Sequence, residues 1–288
     1  RMKRMLVLWG KKRTTAQVFK GALGVSNLAA FDARFFAWLD EQLAPLRRGF
    51  RVDGALVASE AEARAEQATS SPKDLAAQVA AAVAWLGRGD LEQAGLYAGR
   101  ALALDARAAQ ALMVRALVRL EAGDGVGATA DMKVIRAQGL DGPHLQRSLA
   151  RATRVAGDTA AAISHLEASL RLDPKQGALY YPLIELLDAE GRPGDAYQWR
   201  VKAIAVDQGS LSLVAGLLNG AEAHGASRAD VLRWGELGNH IAPFAVDHHV
   251  RFATQLDRLG ARKEARFEAE SALAIDPEHK AAKALLAR

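Results

Sequence analysis

Glycine recurs along most of this chain at one interval. Gly89, Gly123, Gly157, Gly191 and Gly225 stand 34 residues apart, and Gly260 follows after 35. A fixed period of this length constrains the fold more than any single motif, because it requires one supersecondary unit copied along the chain. The unit predicted is a helix, a short turn holding the glycine, a second helix and a link to the next copy. Five residues past the glycine come Ala94, Ala128, Ala162, Ala196 and Ala265. A small side chain there lets the second helix lie close against the first. The fifth copy departs, with Asp230 in that place. The second helices end in ALALDA (101–106), SLRLDP (169–174), AIAVDQ (203–208) and ALAIDP (272–277). Leu102, Leu104, Leu170, Leu172, Ile204, Val206, Leu273 and Ile275 are expected to face the core there. Aspartate, followed in two copies by proline, ends the helix, because proline lacks an N–H and restricts the residue before it.

Composition agrees with helix. Half of the residues are apolar, yet only 6% are aromatic, and alanine is abundant. Alanine, leucine, arginine and glutamate lose little rotamer freedom in a helix. Alternating Val/Ile runs are nearly absent, so a large sheet is not expected. There is no cysteine, which excludes disulfides, thiolate zinc sites and a cysteine nucleophile. No run of 18 apolar residues could span a membrane, and no signal peptide is visible. The first residues are RMKRM, which suggests a piece of a longer parent.

The repeat pattern resembles the tetratricopeptide repeat family, built on a helix–turn–helix of the same period. The resemblance covers six copies: 75–108, 109–142, 143–176, 177–210, 211–245 and 246–279. Copies one, three, four and six match best. The second ends VIRAQGLDG, and the fifth is the weakest. A helix over 280–288 would cap the array. The resemblance implies an all-α fold, a right-handed superhelical α-solenoid of about six helix pairs preceded by a small helical segment. One helix pair cannot bury its apolar face alone, and stacking buries it against a neighbour and leaves a concave face. Such faces bind peptides or partner helices and do no chemistry by themselves.

Residues 1–70 do not follow the period. Met5–Trp9 is expected to close a helix. Thr14 or Thr15 caps a short helix through Lys20, which Gly24 ends. Ser26 caps the next helix, with an apolar stripe of Leu28, Phe31, Phe35, Trp38 and Leu39. Residues 44–54 are expected to be irregular and 55–68 helical. Thr69–Asp74 marks a boundary, with Ser71 as N-cap and Pro72 at the first helical position. The domain division expected is therefore 1–54, a connecting piece 55–74, the array 75–279 and the cap 280–288. The segment WGKKRTTAQVFKGALGVSNLAAFDARFFAWLDEQL resembles the closing part of gluzincin-type, peptidase-MA-like metallopeptidase domains. Ala22–Ser26 and Phe35–Leu39 carry the likeness. It implies a catalytic part upstream of residue 1, with the array recruiting substrates or partners. It also implies an extracytoplasmic parent; without it, a cytoplasmic one is equally open. That family's chemistry needs H-E-x-x-H, two imidazoles on one helix face with a glutamate base between. None of the seven histidines stands in such a motif, so no zinc ligand carries over.

No cofactor site is expected. His248 and His249 are adjacent, project about 100° apart on a helix and cannot chelate together, so packing is the expected role. GDGVG (123–127) has no preceding strand and no GK[ST], and is expected to be a turn rather than a phosphate loop. Trp85, Trp199 and Trp234 are expected to pack between helices. Residues 1–51 hold eleven Lys/Arg against three acids, a local +8 that exceeds the net +5 of the whole chain. The basicity therefore lies outside the array. Nucleic-acid binding by this piece, and peptide hydrolysis by a complete parent, remain the alternative functions.

In the resembled family, positions two, five, nine and twelve of each first helix line the groove. In copy three these are His144, Arg147, Arg151 and Arg154. In copy four they are Ala178, Tyr181, Glu185 and Asp188, and in copy two Gln110, Met113, Leu117 and Leu120. The arginine row is open to two readings. It is a solvated stripe, or it recognises an acidic or carboxylate-ended peptide by bidentate contact. The asparagines of the chaperone-type carboxylate clamp are missing. The expected function is a non-catalytic scaffold binding a protein or peptide partner in that groove.

Overall fold

A computed structural model describes residues 10–11, 13–25, 28–47, 52 and 55–287. Among them every regular element is helical. The N-terminal elements are α1 (Thr15–Leu23), α2 (Leu28–Arg47), a 3₁₀ helix (Ala55–Glu60) and α3 (Ala61–Ser70). Six helix pairs follow: α4 (Leu75–Arg88) and α5 (Leu91–Leu104), α6 (Ala109–Glu121) and α7 (Gly125–Ala137), α8 (Pro143–Val155) and α9 (Thr159–Leu172). The fourth pair, α10 (Tyr180–Ala189) and α11 (Pro193–Val206), is preceded by a 3₁₀ turn at Gly177–Leu179. Next come α12 (Leu211–Gly220) and α13 (Arg228–Ile241), then α14 (Val246–Arg258) and α15 (Arg262–Ile275). A short α16 (Lys280–Leu286) closes the chain's described part. The fold class is an all-α solenoid of helix pairs.

The periodic glycines mark equivalent bends. All six adopt a left-handed φ between 64° and 86°, which a side chain would strain. The turn works as a paired device. At Gly89, for example, the amide donates to Leu86 O and ends α4, and Asp90 next to it caps α5 by accepting from Gln93 N at 3.0 Å. Asp124 and Asp158 do the same for α7 and α9. The alanines five residues on are buried in all five copies that have them. The extra residue behind the interval of 35 lies in the fifth turn. There Ser227, two residues past Gly225 rather than one, is the N-cap of α13. The packing position moves along by one, so Val231 is buried and Asp230 sits beside the cap.

The ends of the second helices differ from expectation in one respect. Leu102, Leu170 and Ile204 are buried and Leu273 half-buried, but Leu104, Leu172, Val206 and Ile275 are exposed, Leu172 by 57%. Residues two apart on a helix point about 200° from each other, so both cannot face one core. The buried partners are instead one residue back, at Ala101, Ser169, Ala203 and Ala272. The helices end as expected at Asp105, Asp173, Asp207 and Asp276, each C-cap amide closing on the residue four before. Each carboxylate also accepts the amide two residues on, which turns the chain even where no proline follows.

The N-terminal piece holds further corrections. Thr14 caps α1 in a capping box with Gln17, and Gly24 ends it in the left-handed region, but the helix runs three residues past Lys20. α2 continues to Arg47, through part of the stretch expected to be irregular. Residues 55–60 form a 3₁₀ helix, and α3 reaches Ser70. Ser71 closes α3, and Asp74 is the N-cap of α4, accepting from Ala76 N and Ala77 N. The carboxylate stands directly before the first helical residue, where an N-cap side chain reaches the free amides. Met5–Trp9, Ser26 and the side chains of Leu28 and Leu39 lie outside the described residues. Phe31 stacks on Phe19 with ring centroids 4.7 Å apart, while Phe35, Phe36 and Trp38 are exposed.

The chain divides into two compact units, residues 1–115 with 131–145, and residues 116–130 with 146–288. In the first, the 3₁₀ helix and α3 pack on α4, and α4 on α5. Its core is lined by alanine, with Gln78 Nε2 donating to Ala68 O at 2.6 Å to tie α4 to α3. In the second, α10 to α15 contact in sequence, and α16 packs on α15 and α14. Leu170, Leu183, Leu187, Leu217, Trp234 and Leu256 belong to its core. Two joints need glycine for space alone. A Cβ on Gly125 would lie 2.4 Å from the Ala156 backbone nitrogen, and one on Gly238 would lie 2.0 Å from the His248 ring.

Candidate partner-binding site

α8 begins at Pro143 and turns its apolar face inward through Leu149, Ala150 and Ala152. Arg147, Arg151 and Arg154 recur at steps of four and three and share one exposed edge, with Ala150 beside them. The structure brings these three together at one cavity of about 170 Å³. Its walls are Ala150 from α8, Leu166 from α9, Leu179 from the 3₁₀ turn, and Pro182 and Leu186 from α10. Ala150 and Leu166 belong to the core, Leu179 and Leu186 are half-buried against it, and Pro182 is half-buried. The result is an apolar pit with a guanidinium rim. Of the three, Arg151 pairs through Nη2 with Glu121 Oε1 from the end of α6, at 2.6 Å, with both side chains about half exposed.

The other groove residues expected from the sequence take separate places. His144 is half-buried at the start of α8. Glu185 is exposed on α10. Tyr181 donates its hydroxyl to Asp207, and burial together with that bond holds the phenol above its ordinary pKa. Asp188 pairs with Arg200 of α11, whose side chain lies over the bare backbone of Gly216. Leu117 is half-buried, while Met113 is only 4% exposed and packs in the core.

Sequence reasoning passed over two features. In the first unit, the first helix of copy one presents Leu75, Val79 and Val83 to a cavity of about 760 Å³, together with Val57 and the charged Arg64 and Asp74. The same two-five-nine-twelve rule, applied to copy one, points to Val79 and Val83. In the second unit, His248 and His249 form a buried polar joint rather than simple packing. His249 Nδ1 lies 2.7 Å from Glu268 Oε2, and its Nε2 donates to Pro243 O at 3.0 Å. Asn239 Nδ2 donates to Glu268 Oε1, and His248 Nε2 donates to Gly235 O at 2.9 Å. Only the pairing of α13, α14 and α15 reveals this, because its members are scattered from Gly235 to Glu268. Trp199 and Trp234 are buried between helices as expected, and Trp85 is half-buried under Arg88. Among the described residues no three His, Asp or Glu side chains gather into a metal-binding group, and no helix is long and apolar enough to cross a membrane.

A repeated helix pair with left-handed glycine turns defines a fold of the helical-repeat class. More particularly, within that class, the family model described as tetratricopeptide repeat matches residues 156–219, from the third glycine turn into the fifth helix pair. Among solved structures, the chain is similar to the C-terminal part of a TPR repeat-containing protein from Cytophaga hutchinsonii, with a TM-score of 0.54 and 13% identity over 81% of this chain and 95% of that one. It is also similar to YrrB, described as a TPR protein with an unusual peptide-binding site (TM-score 0.47, 16% identity, 78% of this chain and 97% of that one). MamA gives a TM-score of 0.48 at 18% identity over 59% of this chain and 92% of that one. At 13% identity the likeness to the Cytophaga hutchinsonii protein speaks for the fold alone. A search of curated proteins returned no match.

Proposed function

We propose that the chain is a non-catalytic scaffold that binds a protein or peptide partner along the first-helix face of its second unit, and that the partner brings acidic groups to Arg147, Arg151 and Arg154. The observation that carries this reading is their convergence on one apolar-walled cavity. A guanidinium presents a planar fork of donors to a carboxylate, and an adjacent apolar wall lowers the local dielectric and strengthens that contact. Arg147→Glu combined with Arg151→Glu is expected to abolish binding of an acidic peptide while leaving the thermal unfolding midpoint nearly unchanged, since both side chains are exposed. Equal binding by the double variant, measured by fluorescence anisotropy, would remove the reading.

The same proposal extends to the parent. A gluzincin-type metallopeptidase domain upstream would supply the chemistry that this chain lacks, with the array presenting its substrates. The exposed aromatic row Phe35, Phe36 and Trp38 on α2 supports this, because such side chains are costly to leave in water. The upstream reading frame tests it directly: H-E-x-x-H there supports the parent, and its absence excludes it.

A further inference from the structure

Resting on that reading, we infer that the arginine-rimmed cavity takes one apolar side chain of the partner standing next to an acidic residue, and that Glu121 occupies the acidic residue's place in the free protein. Three observations converge. The first is size and lining. The cavity's 170 Å³ is of the order that holds a benzene-sized group, about one leucine side chain. Its floor of Leu166, Leu179 and Leu186 gives that side chain apolar partners.

The second is the shape of the charge. Arg147 to Arg154 spans seven residues of α8, about 10 Å at the helical rise. A single chain-terminal carboxylate covers only a fraction of that row. A stretch of chain with an acidic side chain beside its apolar residue matches it, because neighbouring residues place the carboxylate at the rim while the apolar group enters the pit. The third is the contact between Arg151 and Glu121 at 2.6 Å. A carboxylate carried by another helix already pairs with one of the three arginines that line the cavity. With both groups about half exposed, the pair is weak enough to exchange. Glu121 therefore competes with the partner and lowers its affinity.

The test uses capped dipeptides titrated into the full chain at millimolar concentration, followed by methyl NMR of the leucines. Acetyl-Glu-Leu-amide is expected to shift Leu166, Leu179 and Leu186. Acetyl-Glu-Ala-amide should bind about ten-fold more weakly, from the lost methylene burial, and acetyl-Gln-Leu-amide several-fold more weakly. Glu121→Gln should tighten acetyl-Glu-Leu-amide by roughly two- to five-fold and leave acetyl-Gln-Leu-amide unchanged. An unchanged unfolding midpoint for Glu121→Gln confirms that the variant reports on competition alone. Equal binding of the Glu and Gln peptides, no effect of Glu121→Gln, or no leucine shift with any peptide overturns the inference. So does preference for acetyl-Gln-leucine with a free carboxyl group, which would move the charge to a chain end. Each of these leaves the broader reading standing if longer acidic peptides still lose binding with the Arg147/Arg151 double variant. That reading fails only when they do not.

Discussion

Glycine does different work at neighbouring positions of this chain, and GDGVG shows it within five residues. Gly123 holds a left-handed φ of 81°. Gly125 leaves room for the backbone of α8, since an added Cβ would meet Ala156 N at 2.4 Å. Gly127 gives its amide to Asp124, and a Cβ there would collide with the same carboxylate. A colliding backbone cannot swing aside as a side-chain tip can. Gly125→Ala is therefore expected to destabilise by about 1–3 kcal/mol, and chemical denaturation measures it. Gly99, in the middle of α5, has nothing within 4 Å of its missing Cβ. Gly99→Ala should stabilise by about 0.5–1 kcal/mol, because alanine loses less backbone freedom on folding. The periodicity exposed Gly123 as a turn. Nothing in the sequence separates Gly125 from Gly99, since the difference lies in what another helix brings near.

The joint between α13, α14 and α15 is where elements make a property no single helix has. Gly235 and Gly238 let α14 approach so closely that Phe252 and His248 pack on bare backbone. His248 is 1% exposed and donates from Nε2 to Gly235 O. Burial holds its pKa below the ordinary histidine value of 6.5, while the bond to Gly235 opposes this, and the neighbouring His249 and Arg251 favour the neutral ring in part against Glu268. The unfolded chain thus binds a proton more readily than the folded one. The stability this ring contributes is complete above pH 6.5 and is lost as pH falls from there through the folded pKa. Urea midpoints measured from pH 7.5 down to 5 should fall, and more steeply in the native protein than in His248→Gln. Parallel curves would show that another group carries the dependence. The adjacent histidines were visible in the sequence, but their partners Glu268 and Pro243 become neighbours only when three helices meet.

At the scale of the molecule, stability in a repeat array is close to a sum over neighbouring pairs, so a terminal helix matters through the one face it covers. α16 buries Ala282 and half-buries Leu285 and Leu286 against α15 and α14. Deleting 280–287 should lower the thermal midpoint by a few degrees while the remaining helix signal persists, which circular dichroism follows directly. Loss of the whole cooperative transition would mean that the array folds as one body and not by nearest-neighbour addition. The sequence by itself determined the period, the pairing of helices, the glycine turns, the aspartate stops and the arginine row on α8, because each depends on residues close together in the chain. The tertiary structure alone decided which end leucines are buried, which of the expected groove residues are engaged elsewhere, and that Arg147, Arg151 and Arg154 ring an apolar pit. These depend on the angle and distance at which one helix meets the next, and side chains from separate helices fix that together.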